Sequence, residues 1–416
     1  MSTPSLSSFL DQSADRLTTL LRELVQCDTT NPPGRNYDAM THLLVDRLAE
    51  TGLSARRLNV PKAKQREALP PAQWDYPRYN VLGKWKVPGA KRTLHFNAHY
   101  DVVPVSGKWR HGDPFGGQVD RGWIYGRGTA DMKGSIASLL LALQALRAAG
   151  VKPNLNVEVS FTADEETDSV LGSEWLVRHA PISPDYAVVM EGGEGAEVCC
   201  GHNGVTWLEV VVHGKAAHGS QPEKGVNALE KMSALVLALG DYKQRLAERT
   251  FTAPDGTVMR PTMNLGGEFA QGPGGKINTV PSEGRFTIDR RVLAIETAAG
   301  AEKELRAELK RAAASIPGCR ITINKISENH PCFSAPEGPF FATMAECVQT
   351  VRRAPTTFSV SSGFNDMHFF SAECGIPTLG YGPGGVDYHA IDERAKVKDL
   401  INCAKIYARL LTTFEG

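Results

Sequence analysis

Residues 93–104 read TLHFNAHYDVVP, an apolar run that ends in a histidine and an aspartate. The part from Thr93 to Ala98 predicts a strand, because short apolar runs of this kind form the buried strands of sheets. Similar runs alternate with amphipathic segments on both sides of it. We predict further strands at Asn80–Trp85, Gly122–Gly126, Asn156–Thr162 and Tyr186–Met190, and helices at Leu17–Leu24, Met40–Leu48, Ser135–Ala149 and Ser173–His179. This alternation predicts an α/β sheet with helices on its faces.

The pattern changes near Gly201, where a second set of elements begins. We predict strands at Val205–His213, Met263–Gly267, Gly284–Val292 and Arg320–Ile326, with helices at Val226–Leu246 and Ala298–Ala314. The order β-α-β-β-α-β is that of a ferredoxin-like α+β unit. The elements predicted after it are a helix at Gly338–Val351, a strand at Pro377–Tyr381 and a helix at Val397–Phe414. We therefore expect one α/β domain in two parts, residues 1–201 and 327–416, with residues 202–326 inserted between them. Residues 61–79 are polar, contain several prolines and predict a surface insertion.

The composition excludes some classes of function. The 416 residues include 46 Lys plus Arg and 46 Asp plus Glu, so the formal net charge is zero. This balance argues against a nucleic-acid footprint or a polybasic membrane surface. The N-terminal residues lack the segments of a secretory signal, and the longest apolar run, Ile136–Leu146, is too short to cross a bilayer. Eight scattered cysteines without a framework spacing favour reduced thiols, so we expect a cytoplasmic protein.

Chemically active side chains lie at the ends of the predicted strands. His99 and Asp101 are two residues apart at the end of a strand, so their side chains project to the same side. A carboxylate in this place can accept the second N–H of a metal-bound imidazole and fix its orientation. Without further residues, the pair is more typical of an ordinary turn than of a metal site.

Acidic residues follow the next elements in the same way. Asp131, in YGRGTADMKGS, precedes a helix and can either bridge two cations or cap that helix. Glu165 and Glu166, in FTADEETDSVLGS, are adjacent on a segment expected to be extended, where neighbouring side chains point in opposite directions. One of them can then bind a metal while the other faces a bound water. Glu191, in VVMEGGE, ends a buried strand, which is where α/β sheets place their sites.

His389, in the glycine-rich stretch YGPGGVDYHAIDE, completes the set. Two histidines and three carboxylates suit a pair of divalent cations, each with one histidine, one terminal carboxylate and a shared aspartate. Two cations about 3.5–4 Å apart can activate a bridging water and polarise a carbonyl together. The order of these residues at successive strand ends predicts a two-metal site, although none of them does so alone.

In order and over nearly the whole chain, these clusters resemble the metallohydrolase family of acetylornithine deacetylase, succinyl-diaminopimelate desuccinylase, aminoacylase and carboxypeptidase G. The resemblance rests on HYD, GRGTADMKG, DEE, the glutamate after a buried strand and the late histidine. It implies a zinc-exopeptidase-like mixed sheet flanked by helices, with an inserted ferredoxin-like domain that acts as a lid and in dimerisation. It also implies that His99 and Glu191 bind one metal, that Glu166 and His389 bind the other, and that Asp131 bridges the two.

Residues beside these ligands gain roles from the same resemblance. Glu165 corresponds to the general base, and Asp101 to the residue that orients His99. The family often has a cis peptide bond after the bridging aspartate, which here falls between Asp131 and Met132.

The inserted domain carries three more residues that match the family. His218, in HGKAAHGS, resembles a lid histidine that stabilises the oxyanion and often reaches the site of a neighbouring subunit. Asn278, in INTVP, is expected to hydrogen-bond the substrate or the oxyanion. Arg291, in IDRR, is expected to clamp a substrate carboxylate in a two-pronged contact. Arg290 is the competing choice, but strand alternation puts it on the opposite face.

One loop departs from the family pattern. The stretch SSGFNDMHFF has Phe364 and Asn365 where the family tends to have small residues, Gly-Gly-Thr-Asp. That loop commonly lines the substrate side, so substrate specificity is open at this point. We expect a structural role for His368, because the set of ligands is complete without it.

Together these features predict a dinuclear zinc amidohydrolase that removes an N-acyl group from an amino acid or a related amine that carries a carboxylate. A carboxypeptidase or dipeptidase of the same family is the first alternative, and a non-catalytic metal-binding homologue the second. A hydrolase with a single metal is a third. Two Zn²⁺ per chain are expected, and Co²⁺ or Mn²⁺ suits the same ligands. The expected partners are an N-acyl amino acid or a short peptide and a second copy of the chain, without nucleic acid or membrane.

Overall fold

The computed structural model describes residues 5–272 and 276–416. The first four residues, which open the N-terminal stretch predicted above to lack a secretory signal, lie outside the described residues. The chain forms two compact units. The first comprises Met1–Cys200, Ser334–Ser359 and Asn365–Gly416, and the second comprises Gly201–Phe333 and Val360–Phe364. The described residues of the predicted insertion, 202–272 and 276–326, fall in the second unit.

The helices are α1 (Leu6–Asp11), α2 (Ala14–Gln26), α3 (Tyr37–Glu50), α4 (Lys62–Ala68), α5 (Lys133–Ala148), α6 (Ser173–His179), α7 (Ala228–Ala238), α8 (Gly240–Glu248), α9 (Ala298–Ala314), α10 (Gly338–Arg352) and α11 (Val397–Thr413). The strands are β1 (Ser54–Asn59), β2 (Tyr79–Trp85), β3 (Thr93–His99), β4 (Gln118–Asp120), β5 (Trp123–Tyr125), β6 (Asn156–Thr162), β7 (Tyr186–Val189), β8 (Glu197–His202), β9 (Gly204–His213), β10 (Phe251–Thr252), β11 (Val258–Met259), β12 (Thr262–Gln271), β13 (Glu283–Val292), β14 (Arg320–Asn329), β15 (Cys332–Phe333), β16 (Thr357–Ser361), β17 (Thr378–Gly380) and β18 (Arg394–Lys396). Among the described residues, no helix is both long and apolar enough to cross a membrane.

The first unit is built on a mixed sheet in which strands follow the order β1-β2-β6-β3-β7-β17-β8. The middle strands β6, β3, β7 and β17 are parallel to one another, whereas β2 runs antiparallel to both of its neighbours, β1 and β6. Strands β3 and β6 are buried along almost their whole length, as expected for parallel strands covered on both faces. Helix α5 is buried on nearly every side and packs between α2 and α11. This is the predicted α/β architecture.

The second unit contains a sheet in the order β12-β13-β9-β14, in which all neighbours are antiparallel. Its elements follow one another as the predicted β-α-β-β-α-β unit. Side chains of β13 alternate strictly between buried and partly exposed positions, so one face of the sheet is covered. The covered face packs against α7, α8 and α9 in a core that includes Leu208, Phe286 and Leu305. A role of this unit as a lid or in dimerisation stays a prediction.

Two local predictions are wrong. The helix predicted over Val226–Leu246 is interrupted at Leu239, where α7 ends and α8 begins with Gly240. The apolar periodicity continues across this break and therefore does not show where the first helix ends. The local sequence signal of the break is Gly240. Residues 61–79 are more than a surface insertion, since they form α4 and contain the buried side chains of Gln65 and Arg78.

Candidate metal centre

Three neighbouring parallel strands bring three of the predicted site segments together. In the sheet, β3 lies between β6 and β7. His99 is the last residue of β3, the pair Glu165–Glu166 follows β6, and Glu191 follows β7. Because parallel strands end at the same edge of a sheet, these side chains meet there. The alternation of strands and helices in the sequence is what makes this meeting predictable.

Asp131 reaches the same edge from the loop between β5 and α5. The peptide bond between Asp131 and Met132 is cis, as the family resemblance implied.

Glu393 holds the loop that carries Asp131, since its Oε1 accepts the N–H groups of Gly128 at 3.0 Å, Ala130 at 2.9 Å and Asp131 at 3.1 Å. Its other oxygen, Oε2, lies 2.6 Å from Nη1 of the buried Arg127. Sequence reasoning gave Glu393 no role, although it stands four residues after His389 in a stretch quoted for that histidine.

The carboxylate of Asp131 lies between two imidazoles. His99 Nε2 is 3.1 Å from Asp131 Oδ1, and His389 Nε2 is 3.1 Å from Asp131 Oδ2. Each imidazole also approaches one further carboxylate. Glu191 Oε2 lies 3.7 Å from His99 Nε2, and Glu166 Oε2 lies 3.2 Å from His389 Nε2. The five side chains therefore form two overlapping groups of three, which share Asp131.

These distances, and the presence of two carboxylate oxygens without hydrogen-bond partners, suit divalent cations. Two ligand atoms on one tetrahedral zinc ion, each about 2.1 Å from it, are about 3.4 Å apart. The four contacts just given, from 3.1 to 3.7 Å, lie around that value. Glu166 Oε1 and Glu191 Oε1 are buried and have no hydrogen-bond partner among the described residues. Buried carboxylate oxygens without partners are costly, and a cation at this place removes that cost. The residues present thus fit a pair of metal ions.

The electrostatics of the cluster reflect crowded carboxylates away from water. Burial raises the pKa of Glu191 to about 7. Burial also raises the pKa of Glu165, and the nearby charge of Glu191 raises it further. Burial acts in the same direction on Asp131, but its hydrogen bonds with His389 and His99 outweigh burial and hold its pKa well below the usual range.

The two histidines respond to the same carboxylates. Hydrogen bonds with Asp131 and Glu166 raise the pKa of His389 to about 10. Burial opposes the charged form of His99, but the negative charge of Glu165 and its neighbours outweighs burial and raises the pKa of the imidazole. Without metal, the cluster therefore retains protons, which bound cations must displace.

Glu165 and Glu166 differ from the expected extended pair. They form a short 3-10 turn with Thr167, between the left-handed residues Asp164 and Asp168. In this turn both glutamates face the cluster, and Glu165 Oε2 lies 3.7 Å from His99 Nε2. The prediction that the two side chains point in opposite directions is wrong, because it assumed a strand where the backbone turns.

Asp101 touches both His99 and this turn. His99 Nδ1 lies 3.0 Å from the Asp101 carbonyl oxygen and 3.4 Å from Asp101 Oδ1. The carboxylate also accepts the N–H of Glu165 through Oδ1 and the N–H of Glu166 through Oδ2, both at 3.2 Å. Asp101 is thus placed to orient the imidazole and to hold the backbone of the two glutamates.

A second buried carboxylate stabilises the far side of the turn. Asp366 lies in the unusual loop that contains Phe364, and it accepts hydrogen bonds from Ser169 at 2.5 Å and from Ser173 at 2.6 Å. The sequence analysis assigned no role to Asp366, because it interpreted Phe364 and Asn365 in this loop only in terms of substrate specificity. His368 Nδ1 lies 2.8 Å from the Asn365 carbonyl oxygen, and His368 is in none of the candidate metal groups that the described residues form.

A cavity opens beside the cluster within the first unit. Its volume is about 320 Å³, and Asp131 and Glu191 form part of its wall. Glu194, Glu197 and Tyr388 also line it, together with several glycines. The space is therefore bounded by carboxylates, a phenol and exposed backbone.

The remaining predicted residues belong to the second unit. His218 is exposed, and the N–H of the next residue, Gly219, donates to the Asn278 carbonyl oxygen at 2.7 Å, so the two predicted loops are adjacent.

The two candidate arginines lie on β13. Arg291 is 34% exposed and pairs with Asp289 at 3.0 Å. Arg290 has a fully buried side chain, as strand alternation indicated, and pairs with Glu296. The catalytic and substrate-binding roles of these residues stay predictions.

A mixed α/β sheet with a cluster of histidines and carboxylates at its strand ends defines a metal-dependent hydrolase that acts on amide or peptide bonds. The model of peptidase family M20/M25/M40 matches residues 95–413, and the chain belongs to this family.

Relatives and solved structures agree with that assignment. A succinyl-diaminopimelate desuccinylase of Cereibacter sphaeroides is 28% identical over 406 residues, which cover 95% of this chain and 98% of the relative. The fold is similar to that of an M20-family metallo-carboxypeptidase from Sulfolobus solfataricus, with a TM-score of 0.74, 19% identity and coverage of 95% of this chain and 98% of that chain. A dinuclear metal-binding M20 peptidase from Bacillus subtilis has a TM-score of 0.68 at 13% identity, with coverage of 96% and 98%.

Proposed function

We propose that the protein is a dinuclear zinc amidohydrolase that removes an N-acyl group from an amino acid or a related amine bearing a carboxylate. The observation that carries this proposal is the Asp131 carboxylate, which offers one oxygen to the group of His99 and the other to the group of His389. A carboxylate placed in this way is suited to bridge two cations.

The proposed ligands divide into two sets. His99 and Glu191 hold one ion, His389 and Glu166 hold the other, and Asp131 is shared between them. Nitrogen and oxygen ligands of this kind suit zinc, and Co²⁺ or Mn²⁺ is compatible with the same set. When bound, the pair of cations lowers the pKa of a water molecule and polarises the scissile carbonyl.

Glu165 is proposed as the general base. It takes a proton from the attacking water and later gives it to the leaving amine. Burial raises its pKa, which suits a carboxylate that must both accept and return a proton near neutral pH. Asp101 assists by holding the His99 ring and the backbone of Glu165.

The second unit supplies the proposed substrate contacts. His218 stabilises the oxyanion, Asn278 hydrogen-bonds the substrate, and Arg291 binds its carboxylate through two parallel N–H groups. Arg291 is partly exposed on a strand face, so its guanidinium is accessible. The homodimer, and with it a lid histidine that acts in the partner's site, stays a prediction, as does the cytoplasmic location.

The choice of an N-acyl amino acid as substrate rests on similarity. The desuccinylase of Cereibacter sphaeroides matches this chain over nearly its full length, and the name of that enzyme denotes removal of a succinyl group from an amine. Glu191 as the terminal carboxylate also favours a deacylase or a carboxypeptidase over an aminopeptidase or a dipeptidase within the family resemblance. A carboxypeptidase activity is therefore the main alternative outcome of a substrate test, and a dipeptidase activity of the same family is a further one.

The test is a screen of the zinc-loaded protein against N-acetyl amino acids, N-succinyl amino acids and dipeptides, run beside a Glu165→Gln variant. We expect hydrolysis of N-acyl substrates, two metal ions per chain in both proteins, and loss of turnover in the variant. A matched carboxylate control is Glu174→Gln on α6, whose side chain pairs with Arg178 and which, among the described residues, belongs to none of the candidate metal groups. Faster cleavage of dipeptides contradicts the deacylase assignment, and full turnover by Glu165→Gln contradicts the role of that residue.

A further inference from the structure

The turn that carries Glu165 does not rest on its own backbone preferences. Asp164, Asp168 and Ser169 have φ angles of 61°, 75° and 55°, in the left-handed region. For residues with a side chain this conformation is unfavourable. Such a turn persists only where its surroundings hold it. The side chains that hold it therefore decide where the Glu165 carboxylate lies.

A buried guanidinium holds the first residue of the turn. Arg78 Nε lies 2.7 Å from Asp164 Oδ2, and the two side chains are 0% and 3% exposed. Tyr37 donates its hydroxyl to Asp164 Oδ1 at 3.0 Å. Arg78 is fixed in turn by its Nη1, which donates to the Tyr76 carbonyl oxygen at 2.6 Å. The carboxylate of Asp164 is thus held from two sides by groups that are themselves fixed.

The segment between β1 and β2 brings Arg78 to this place. Gln65 in α4 accepts the N–H of Arg78 at 3.2 Å and donates to the Val60 carbonyl oxygen at 2.8 Å. Gly34, with a φ of +95°, leaves the space that the guanidinium occupies, since a Cβ there would lie 2.5 Å from Arg78 Nη1. The predicted surface insertion, residues 61–79, therefore contributes Arg78 to the side chains that hold the turn beside the metal centre.

Asn31 joins the two carboxylates beneath the turn. Its Nδ2 lies 3.0 Å from Asp101 Oδ2, 3.1 Å from Asp164 Oδ1 and 2.9 Å from Thr167 Oγ1. Because an amide nitrogen has two hydrogens, they are shared among these three acceptors. Asp101 also accepts the N–H of Glu165, so one continuous network runs from Arg78 to the backbone of the proposed base.

Stability alone does not account for this arrangement. A buried ion pair is often no more stabilising than well-packed apolar residues of the same volume. We propose that Arg78, Asp164 and Tyr37 are positioning residues that fix the Glu165 carboxylate for proton transfer. This inference rests on the role proposed above for Glu165.

The direct test uses Asp164→Asn and Tyr37→Phe, which keep the shape of each side chain. A displacement of about 1 Å in a reacting group can cost 100-fold in rate. We expect kcat to fall about 10–100-fold in Asp164→Asn and about threefold in Tyr37→Phe, on the same argument of a smaller displacement. KM should stay within about twofold and metal content should stay unchanged, because the hydrogen bonds described here for Arg78, Asp164 and Tyr37 end on neither the proposed substrate contacts nor the proposed ligand side chains.

The chain offers a matched control for each variant. Glu158 stands on β6, the strand that leads to the turn, and its buried carboxylate pairs with Lys84 at 2.6 Å. Tyr407 is fully buried and donates its hydroxyl to the Tyr381 carbonyl oxygen at 2.6 Å. Glu158→Gln and Tyr407→Phe should lower the melting temperature as the test variants do, while kcat stays at the wild-type value.

The outcomes separate this inference from the proposed function. If Asp164→Asn lowers the melting temperature but keeps kcat, as the control does, the inference is overturned. Loss of metal from Asp164→Asn also overturns the inference, because the network would then act by holding Glu166 in place as a metal ligand. If Asp164→Asn does not fold, Tyr37→Phe and Arg78→Lys decide by the same change in kcat. Full turnover by Glu165→Gln refutes the proposed function itself, whereas its inactivity beside an unaffected Asp164→Asn refutes only the positioning role.

Discussion

Glu393 Oε1 accepts the backbone N–H of Asp131 at 3.1 Å, although the two residues are 262 positions apart in the chain. The same oxygen accepts the N–H groups of Gly128 and Ala130, so one carboxylate shapes the loop that carries the proposed bridging ligand. Arg127 compensates the charge of Glu393 inside the protein.

The first prediction concerns this carboxylate. Glu393→Gln should lower the unfolding free energy of the first unit by about 3 kcal/mol, because it leaves the buried Arg127 without its counter-charge. It should also lower the metal content, since a neutral amide oxygen holds the N–H groups of the Asp131 loop less strongly than a carboxylate does. Urea unfolding and metal counting per chain measure the two effects. Glu67→Gln, which breaks the exposed pair with Lys64, is the control and should change stability by less than about 1 kcal/mol. Equal stability of the two variants contradicts the prediction.

A second prediction follows from the unequal exposure of the two histidines. The His389 side chain is 55% exposed, whereas that of His99 is 1% exposed. The ion held by His389 and Glu166 should therefore leave first, and mild chelation should remove metal in two phases. His389→Ala should keep about one metal ion per chain and lose most of its turnover, because two ions act together. Release of both ions in a single phase counts against this division of the ligands.

A third prediction tests the proposed carboxylate clamp. Arg291→Ala should raise KM about 10–100-fold, the effect of losing hydrogen bonds between charged groups worth about 1.5–3 kcal/mol. Arg285→Ala is a close control, because Arg285 lies on the same face of β13 and pairs with Glu283, two residues before it, as Arg291 pairs with Asp289. Steady-state kinetics with a substrate and with its carboxamide analogue provide the measurement. If both variants raise KM equally, or if the carboxamide responds as the acid does, Arg291 does not bind the substrate carboxylate.

A fourth prediction concerns stability in acid. Burial raises the pKa of Glu158, but its contacts with His95 and Lys84 outweigh burial and lower the pKa to about 2. A carboxylate with a lowered pKa contributes stability above its ordinary pKa of about 4.5, and this contribution is lost as the pH falls towards 2. Glu158→Gln should therefore be less stable than the wild type by about 2 kcal/mol at pH 7, the value of hydrogen bonds to a charged group.

The difference between Glu158→Gln and the wild type should shrink when urea unfolding is repeated at successively lower pH between 5 and 3. A difference that stays constant over this range shows that Glu158 does not titrate in this way.

The five proposed ligands could be found from the sequence because their signals are local. His99, Glu166 and Glu191 each stand at or just after the end of a predicted strand, and the α/β pattern alone places the ends of parallel strands at one edge. Asp131 and His389 stand in glycine-rich loops, and the family resemblance adds them to the set. Their meeting in the structure depends on strand order, which the alternation of strands and helices constrains strongly.

The conformation around Glu165 could not be predicted in this way. Asp164, Asp168 and Ser169 adopt left-handed conformations that are rare for residues with a side chain, and no glycine marks the turn. The sequence pattern instead predicted an extended segment at Glu165 and Glu166. The structure instead places both Glu165 and Glu166 at the cluster.

The supporting residues were out of reach for a different reason. Arg78 finds its partner Asp164 86 positions along the chain, and Glu393 finds Arg127 at a distance of 266 positions. Arginine and glutamate are usually exposed, so a sequence pattern assigns them to the surface unless a partner is known. Their burial is a property of the tertiary structure, which no local pattern contains.

Asn59 and Tyr79 face each other at the open end of the β1–β2 pair, so a tight hairpin turn could in principle join these strands directly. The chain instead passes through residues 60–78 and returns with Arg78. A miniaturised enzyme in which this excursion is replaced by a short turn would be expected to retain its sheet and its metals and yet work slowly. The length of this connection thus bears on the catalytic rate as well as on stability, because the buried Asp164 would also lose its counter-charge.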